Sequence, residues 1–274
     1  MNSNSQVPSP NKNLGQHYLN NQTTIEKICE DFNGLYDGII EIGPGPGTLT
    51  KTLSKKSHPL ILIEKDLRFA EILSNLSDRV KLHQGDALNI NQEDIFSEHS
   101  TSNAWWLVSN LPYNVGTPIM LKYLQWENIN YFTLMFQKEV AQKVCIDMFG
   151  EKQKKKEMNS LYALVATFFD INHLINVPPS HFSPPPKVDS AVVSLTRKKN
   201  PALPLKSWES YERFLRVLFG QRRKQIGKIL KQISTQENLE QVFEKTNIAS
   251  NLRSERLTLN QVHDIYLSLR NNHA

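Results

Sequence analysis

The fold is decided by the stretch "GIIEIGPGPGTLT" at residues 38–50. Its first half is a short apolar run, typical of a buried strand, and its last residues open a helical pattern. Between them stand Gly43, Gly45 and Gly47, which permit backbone conformations closed to other residues and let a ligand approach the chain closely. A strand, a glycine turn and a helix in this order predict the ligand-binding edge of a doubly wound sheet.

Strand-like runs and helical patterns alternate on the C-terminal side of this turn. Such alternation predicts βαβ units and a mainly parallel sheet. Two later strands have no helix between them, so we expect them to form an antiparallel pair at one side of the sheet. Strands are predicted at 38–43, 60–64, 80–86, 104–110, 131–137, 167–177 and 190–197, and helices at 49–56, 68–76, 117–125 and 138–148.

The pattern changes after Asn200 and Pro201. Four amphipathic helices follow, at 207–219, 221–233, 236–247 and 259–269. We therefore predict three parts: a disordered polar lead-in at 1–12, an α/β domain at 13–200, and a small helical domain at 201–274.

The bulk composition is that of an ordinary globular protein, with 39% hydrophobic and 22% charged residues among 274. No apolar run approaches the roughly 18 residues that a membrane span needs. Cys29 and Cys145 lack the spacing of a metal site, so we expect buried free thiols, no metal and a reducing, cytoplasmic compartment. No feature of the sequence indicates an obligate dimer, so we expect a monomer without membrane contacts.

Positive charge is concentrated towards the C-terminus. Residues 187–231 contain twelve Lys or Arg against three acidic residues, and a second basic cluster, "KQKKK", stands at 152–156. A basic region of this kind indicates a polyanionic partner. On charge alone, solvated surface helices explain it equally well.

The glycine turn favours one class of cofactor. Its spacing is G-x-G-x-G, and two prolines stiffen it, which argues against a pyrophosphate resting on the helix N-terminus. Glu64 ends the second strand, where a carboxylate can accept both ribose hydroxyls, and Asp86 follows the third, where it can accept from an adenine amine. Each carboxylate alone could be a helix cap. The glycine turn, Glu64 and Asp86 stand at the ends of three consecutive strands, and together they predict a site for S-adenosylmethionine (SAM).

The fold class we predict is therefore α/β: a class I SAM-dependent methyltransferase with a Rossmann-like, seven-stranded, mostly parallel sheet and a small C-terminal α-helical domain.

The fourth strand ends in "NLPY" at 110–113, beside the predicted cofactor. The Asn110 side-chain oxygen and the Leu111 carbonyl can accept hydrogen bonds from an exocyclic adenine amine, because Pro112 holds the chain extended. Tyr113 offers a ring on which a base can stack, worth about 1–3 kcal/mol. The alternative is a simple strand-terminating turn, which leaves the proline–aromatic pair unexplained. We expect neither a metal nor a strong general base.

Six stretches resemble, in order, motifs of the small-subunit ribosomal RNA adenine N6,N6-dimethyltransferase family (KsgA-type). They are "NLGQHYL" (13–19), "EIGPGPGTLT" (41–50), "NLPYNVGTP" (110–118), "FQKEVAQKV" (136–144), "HFSPPPKVDSAVVSL" (181–195) and "FGQRRKQIGKIL" (219–230). The resemblance implies that two adjacent adenosines near the 3′ end of small-subunit rRNA become N6,N6-dimethyladenosine during subunit biogenesis, with four SAM consumed.

The resemblance also implies roles for individual residues. A catalytic pocket would contain Asn110, Leu111, Pro112 and Tyr113, with Phe182 as either a second wall for the base or a loop-anchoring hydrophobe. The rRNA phosphates would be held by Arg222, Arg223, Lys224 and Lys228 on a basic helix. The cofactor would be bound by His17, Leu19, Gly43, Gly45, Glu64, Asp86, Ala87 and Asn110.

The chain departs from the family pattern at two places. "EMNSLYAL" (157–164) replaces a Tyr-Gly-Arg-Leu-Ser-like stretch, and Gly116 stands where a hydroxyl residue is expected, which would loosen the loop. Two rival functions remain. One is a large-subunit rRNA adenine dimethyltransferase of the antibiotic-resistance type, and the other is a ribosome-assembly or binding factor with secondary catalysis. A DNA adenine methyltransferase fits less well, because such enzymes usually carry Asp-Pro-Pro-Tyr or Asn-Pro-Pro-Tyr.

Overall fold

The computed structural model describes residues 7–11, 14–97, 104–147 and 157–271. The chain divides into two compact units. The first comprises residues 1–141 and 172–197, and the second comprises 142–171 and 198–274. The predicted basic cluster at 152–156 lies outside the described residues.

The described part of the chain contains nine strands, numbered β1 to β9 in chain order, and all but β1 and β8 form one sheet. The order of the strands across this sheet is β4-β3-β2-β5-β6-β9-β7, with the ranges given below. Strands β2 to β6 pair in parallel, and β9 runs antiparallel to β6, with β7 next to it at the end of the sheet. The strands are β2 (Gly38–Ile42), β3 (Leu60–Glu64), β4 (Val80–Gln84), β5 (Trp105–Asn110), β6 (Ile129–Gln137), β7 (Phe169–Val177) and β9 (Ser190–Arg197). These bounds and this order confirm the predicted α/β class.

The central strands are largely buried, because helices cover both faces of a parallel sheet. Every residue of β2 and β3 is buried. The sheet order reverses at β2, since the next strands along the chain lie on one side of it and β5 lies on the other. This reversal opens a crevice at the carboxyl ends of β2 and β5, where doubly wound sheets bind ligands.

Helices of the first unit pack on the two faces of the sheet. On one face, α1, α2 and α3 share a core with Trp106; on the other, Trp105 meets Phe96 of α4, whose ring contacts Trp126. The two tryptophans face opposite ways because successive strand residues alternate. The helices are α1 (Gln22–Cys29), α2 (Thr50–Leu53), α3 (Ala70–Ser74), α4 (Gln92–Phe96), α5 (Gly116–Tyr123) and α6 (Lys138–Val144).

A separate two-stranded sheet joins the N-terminal segment to the loop before β9. In it, β1 (Tyr18–Leu19) pairs antiparallel with β8 (Phe182–Ser183). The predicted lead-in at 1–12 is described only at residues 7–11. The carbonyls of Pro8 and Ser9 accept hydrogen bonds there from Tyr18 and Arg68 of the first unit.

The second unit is helical. Its α7 packs on α8 and α11, where the Phe168 and Trp208 ring centroids lie 5.0 Å apart and His263 Nε2 lies 2.8 Å from Thr167 Oγ1. The predicted domain boundary near residue 200 assigned α7 to the other domain. The helices are α7 (Ser160–Phe168), α8 (Trp208–Gly220), α9 (Ile226–Leu230), α10 (Gln236–Thr246) and α11 (Leu259–Asn271).

Two predicted elements begin later than the sequence pattern indicates. The strand predicted at 167–177 begins only at residue 169, since Thr167 and Phe168 end α7. The sequence pattern did not predict α7, because this helix is apolar nearly all round and shows no amphipathic period. Of the range 221–233, which was predicted to be one helix, only α9 is an α-helix. The carbonyls of Leu252 and Ser250 accept from the Ile226 and Gly227 N–H groups, so the preceding residues form a turn.

Across the described ranges, no helix is long and apolar enough to cross a bilayer. The same residues contain no group of three or more His, Cys, Asp or Glu placed to hold a metal ion. Cys29 and Cys145 are buried, and neither forms a disulfide.

Candidate active site

A cavity of about 180 Å³, open to solvent, lies in the first unit at the carboxyl ends of β2 to β5. Its walls come from the β1 segment, the glycine turn, the loops after β3 and β4, and the Asn-Leu-Pro-Tyr stretch. All the predicted cofactor residues line it: His17, Leu19, Gly43, Gly45, Glu64, Asp86, Ala87 and Asn110. Of the predicted catalytic residues, Leu111, Pro112 and Tyr113 also line it.

The glycine turn runs close to its neighbours in a conformation that side chains disfavour. Gly43 and Gly45 have φ angles of 65° and 54°. A Cβ atom on Gly45 would lie 3.7 Å from the Tyr18 ring, and one on Gly43 would lie 3.9 Å from Pro112 Cδ. The absence of these side chains therefore keeps the cavity open between the turn and the catalytic stretch.

Glu64 fixes the position of that turn. Its Oε2 accepts from the Gly45 N–H at 2.9 Å, and its Oε1 accepts from the Asp66 N–H at 2.7 Å. Burial raises the pKa of Glu64, and the two backbone donors work against that shift. A buried carboxylate with remaining lone pairs facing the cavity can also accept ribose hydroxyls.

Asp86 lies after β4, beside the end of β3, where the Gly85 N–H donates to the Glu64 carbonyl at 2.8 Å. Its carboxylate accepts from the Leu88 N–H and from Lys65 Nζ, both at 2.9 Å. These two contacts lower the pKa of Asp86, so the carboxylate stays ionised and can accept from an amine. Ala87 beside it is buried and completes this wall.

The side-chain amide of Asn110 is oriented by the N-terminal segment. Its Nδ2 donates to the His17 carbonyl at 3.2 Å, which leaves Oδ1 as the atom that can accept from a substrate amine. Leu111 is buried and its N–H donates to the Met135 carbonyl, so β5 pairing extends one residue into the stretch. A Cβ on Gly116 would lie only 3.2 Å from Leu111 Cβ, so this glycine packs tightly beneath the loop and does not loosen it.

Tyr113 is held on two sides. Its hydroxyl lies 2.6 Å from Ser190 Oγ, and its ring is stacked at 25° on the His17 ring, with centroids 5.6 Å apart. His17 Nδ1 in turn lies 2.8 Å from the Pro184 carbonyl. The His17 contacts thus restrain the Tyr113 ring, which suits a stacking surface, and they give the imidazole a structural role.

Phe182 departs from one of its two expected roles. It is 3% exposed, pairs with Leu19 across the small sheet and joins the core beneath α1. It does not line the cavity, because its position in β8 turns the ring towards the core. The structure therefore favours the loop-anchoring role over a second wall for the base.

Sequence reasoning missed Glu41, which also lines the cavity. Its carboxylate accepts from Thr50 Oγ1 at 2.8 Å and is 2% exposed. Burial raises the pKa of Glu41 to about 8, and the Thr50 hydrogen bond only partly opposes this. The signal was present in the sequence as one acidic residue inside an otherwise apolar strand.

Glu41 should make the stability of the protein depend on pH. Because its pKa rises from 4.5 in the unfolded chain to about 8 in the fold, the folded state binds the extra proton between these values. The free energy of unfolding should therefore fall as pH rises through that window, by about 1.4 kcal/mol per pH unit from this group. Glu41→Gln should remove that component, as urea unfolding at pH 5, 6, 7 and 8 would measure. Equal pH slopes for variant and parent would contradict the assignment.

Chemically, the cavity fits SAM. It offers an open glycine turn, acceptors for a ribose and an adenine amine at Glu64 and Asp86, and an amide oxygen at Asn110. The four predicted RNA-binding residues belong to the second unit and are exposed. Arg222, Arg223 and Lys224 lie in the turn between α8 and α9, and Lys228 lies on α9.

Comparison with known proteins gives consistent results. The family model described as "Ribosomal RNA adenine dimethylase" matches residues 8–271. The protein named ribosomal RNA small subunit methyltransferase A from Sulfurihydrogenibium sp. (strain YO3AOP1) is 34% identical over 256 residues, 91% of this chain and 92% of its own. The protein of that name from Mycoplasmopsis pulmonis is 33% identical, with 94% and 98% covered.

Solved structures share the fold. A dimethyladenosine transferase from Plasmodium falciparum superposes with a TM-score of 0.75 at 23% identity, over 94% of this chain and 98% of that one. The 23S rRNA methyltransferase ErmE gives 0.70 at 23% identity, over 92% and 99%. At this identity the likeness establishes the fold alone. The family model and the curated relatives go further: the chain belongs to the ribosomal RNA adenine dimethylase family.

Proposed function

We propose that this protein is a SAM-dependent methyltransferase that dimethylates the N6 amines of two adjacent adenosines near the 3′ end of small-subunit rRNA. One observation carries the proposal. The Asn110 amide is locked by the His17 carbonyl with its oxygen left for the target amine, at the rim of a cavity with the donors and acceptors that SAM requires. The names of the curated relatives, ribosomal RNA small subunit methyltransferase A, support the choice of substrate.

The chemistry required of the protein is orientation. SAM supplies an electrophilic methyl group on its sulfonium sulfur. The exocyclic amine is a poor nucleophile because its lone pair is delocalised into the ring, and acceptors at Asn110 and Leu111 draw the nitrogen towards tetrahedral geometry. Tyr113 would stack the base and so orient the amine towards the cofactor's side of the cavity. With SAM bound there, the amine nitrogen would take the methyl group from the sulfonium sulfur, and the amine proton would leave to solvent.

The direct test is methyl transfer from labelled SAM. Unmethylated small ribosomal subunits, large-subunit RNA and duplex DNA are supplied separately, and the products are digested to nucleosides. We expect dimethyladenosine from small subunits alone. Label in large-subunit RNA alone would replace the proposal by the resistance-type activity. Binding of SAM without transfer to any substrate would favour a binding factor instead.

We also propose that residues 201–274 form the rRNA-contacting domain, with Arg222, Arg223, Lys224 and Lys228 on phosphates. Their exposure supports this, and phosphate contacts position a protein without reading sequence. Three of them share one tight turn, in which the Lys224 N–H donates to the Gln221 carbonyl. A turn of this kind presents three charges to one stretch of backbone.

Changing Arg222, Arg223 and Lys224 together to glutamine should weaken binding to small subunits and flatten its salt dependence. The slope of log K against log salt should fall by about 2–3, since each phosphate contact contributes roughly one. Binding measured at four salt concentrations would show it. A matched control changes the exposed Lys27, Lys51 and Lys55 of the first unit to glutamine, and should leave the slope unchanged. Equal slopes for the two triple variants would refute the contact.

The protein should act as a monomer in the cytoplasm. Among the residues that the structure describes, the large exposed apolar side chains come from separate segments of the chain, which supports a monomer. They are Val7, Leu35, Leu67, Val188, Ile233 and Leu267. Two buried thiols that form no disulfide, and a ribosomal substrate, support the compartment.

A further inference from the structure

The loop that follows β4 is tied to α5 through its backbone carbonyls. Lys122 Nζ donates to the Leu88 carbonyl at 2.8 Å and also to the Ile90 carbonyl. The neighbouring Tyr123 hydroxyl donates to the Ala87 carbonyl at 3.1 Å. Three donors from two adjacent residues of one helix therefore hold three carbonyls of one short loop.

The two ends of this connection are functional. On the loop side, Asp86 and Ala87 form the wall where the cofactor's adenine is placed above. On the helix side, α5 begins just after the Asn-Leu-Pro-Tyr stretch, and its Ile119 lines the same cavity. Neither Lys122 nor Tyr123 lines the cavity itself. Any effect of theirs on the cofactor must therefore pass through the loop.

We propose that Lys122 and Tyr123 are positioning residues that fix the adenine-binding loop to the helix carrying the catalytic stretch, so that the adenine wall and the base-binding stretch are held as one unit. The inference rests on the proposed placement of the adenine at Asp86 and Ala87. A loop fixed in advance loses less conformational entropy when the cofactor binds, and so binds it more tightly.

The surroundings of Lys122 fit this role. Its ammonium lies 5.9 Å from the centroids of both the Tyr123 and Trp126 rings, and Tyr123 is fully buried. Burial lowers the pKa of Lys122, while Asp86 and Asp94 oppose that shift. The positive charge in turn favours the ionised form of Asp86, which the adenine amine needs as an acceptor. The Lys122 ammonium thus donates hydrogen bonds to this loop and also acts on it electrostatically.

The test uses two ligands that share a nucleoside. S-adenosylhomocysteine (SAH) carries the amino-acid half, and 5′-methylthioadenosine lacks it. By calorimetry, Lys122→Met should weaken both by the same factor, about tenfold, and Tyr123→Phe should weaken both by about threefold. Hydrogen exchange of the 86–91 backbone should be faster in both variants. The kcat at saturating SAM should stay within about twofold, since neither residue touches the reacting atoms.

Matched variants separate the possible outcomes. Lys27→Met, on the exposed face of α1, should leave both affinities and the exchange of 86–91 unchanged. Tyr123→Phe keeps the buried ring, so it reports on the hydrogen bond even if Lys122→Met lowers stability. Unchanged affinity for both ligands in Tyr123→Phe and Lys122→Met would overturn the inference, as would weakening of SAH alone. Failure of the unaltered protein to bind SAH would instead refute the proposed function.

Discussion

Replacing Asn110 by alanine should lower the rate of methyl transfer by about 100-fold or more. The side-chain oxygen accepts a hydrogen bond whose donor becomes more acidic as the amine nitrogen attacks, so the bond strengthens in the transition state. The variant should still bind SAH within about threefold of the parent, because the ribose and adenine acceptors at Glu64 and Asp86 are untouched. Single-turnover transfer to small subunits and calorimetry with SAH would measure the two quantities.

The contact with the N-terminal segment refines this prediction. In the structure Asn110 Nδ2 donates to the His17 carbonyl, and a carboxylate at that position would meet the carbonyl with no proton to offer. Asn110→Asp should therefore fail as completely as Asn110→Ala, even though it retains an acceptor. The exposed Asn176 on β7 provides a matched control, and Asn176→Ala should leave the rate unchanged. A variant Asn110→Ala with near-normal rate would exclude this residue from the chemistry.

The sequence was sufficient for the sheet and for most of the cavity. Buried parallel strands read as continuous apolar runs, and their carboxyl ends meet at one edge. The sequence alone therefore places Gly43, Glu64, Asp86 and Asn110 together, because each ends a predicted strand or follows one directly. All four line the cavity.

The errors have physical causes that local pattern does not contain. Helix α7 is apolar nearly all round, so its period is invisible, and only packing against Trp208 and His263 defines it. The sequence pattern predicts a helix over the basic turn before α9. In the structure, the N–H groups of the next two residues, Ile226 and Gly227, donate to carbonyls of residues 250–252. The motif that contains Phe182 does not indicate where its side chain points, and in the structure this side chain packs in the core.

Hydrogen-bond partners were also beyond sequence reasoning. Glu64 was expected to hold a ribose, but the structure shows that its carboxylate first holds two backbone donors of the cavity wall. The N-terminal segment is fixed nearby, since Gln16 Nε2 donates to Asp66 Oδ2 at 2.9 Å and Arg68 pairs with the same carboxylate at 2.6 Å. These contacts lower the pKa of Asp66 to about 2. The end of β3 and the loop after it thus support both the glycine turn and the N-terminal segment that orients Asn110.

This arrangement predicts that Glu64→Gln will lose cofactor affinity far beyond the value of a single ribose contact. Both carboxylate oxygens accept from backbone N–H groups, one from Gly45 and one from Asp66. Glutamine has one acceptor oxygen, so one of these N–H groups must face an NH₂ group instead. The turn of the free variant should therefore move away from the NH₂ group of the introduced glutamine. Restoring the turn around the cofactor should cost about 1–3 kcal/mol, and losing a ribose acceptor should cost about 1 kcal/mol more.

The affinity for SAH should therefore fall by about 30-fold or more, as measured by calorimetry at pH 7.5. Glu71→Gln, on α3, serves as the matched control, because that side chain is exposed and should leave the affinity unchanged. Thermal unfolding of both variants without ligand shows whether the turn or the whole unit is affected. If Glu64→Gln binds SAH as tightly as the parent, Glu64 neither holds the turn nor receives the ribose, and the cofactor must lie elsewhere in the cavity. If it binds more weakly but keeps the parent's kcat at saturating SAM, the carboxylate acts on cofactor binding alone and the methyl-transfer geometry rests on Asn110 and its neighbours.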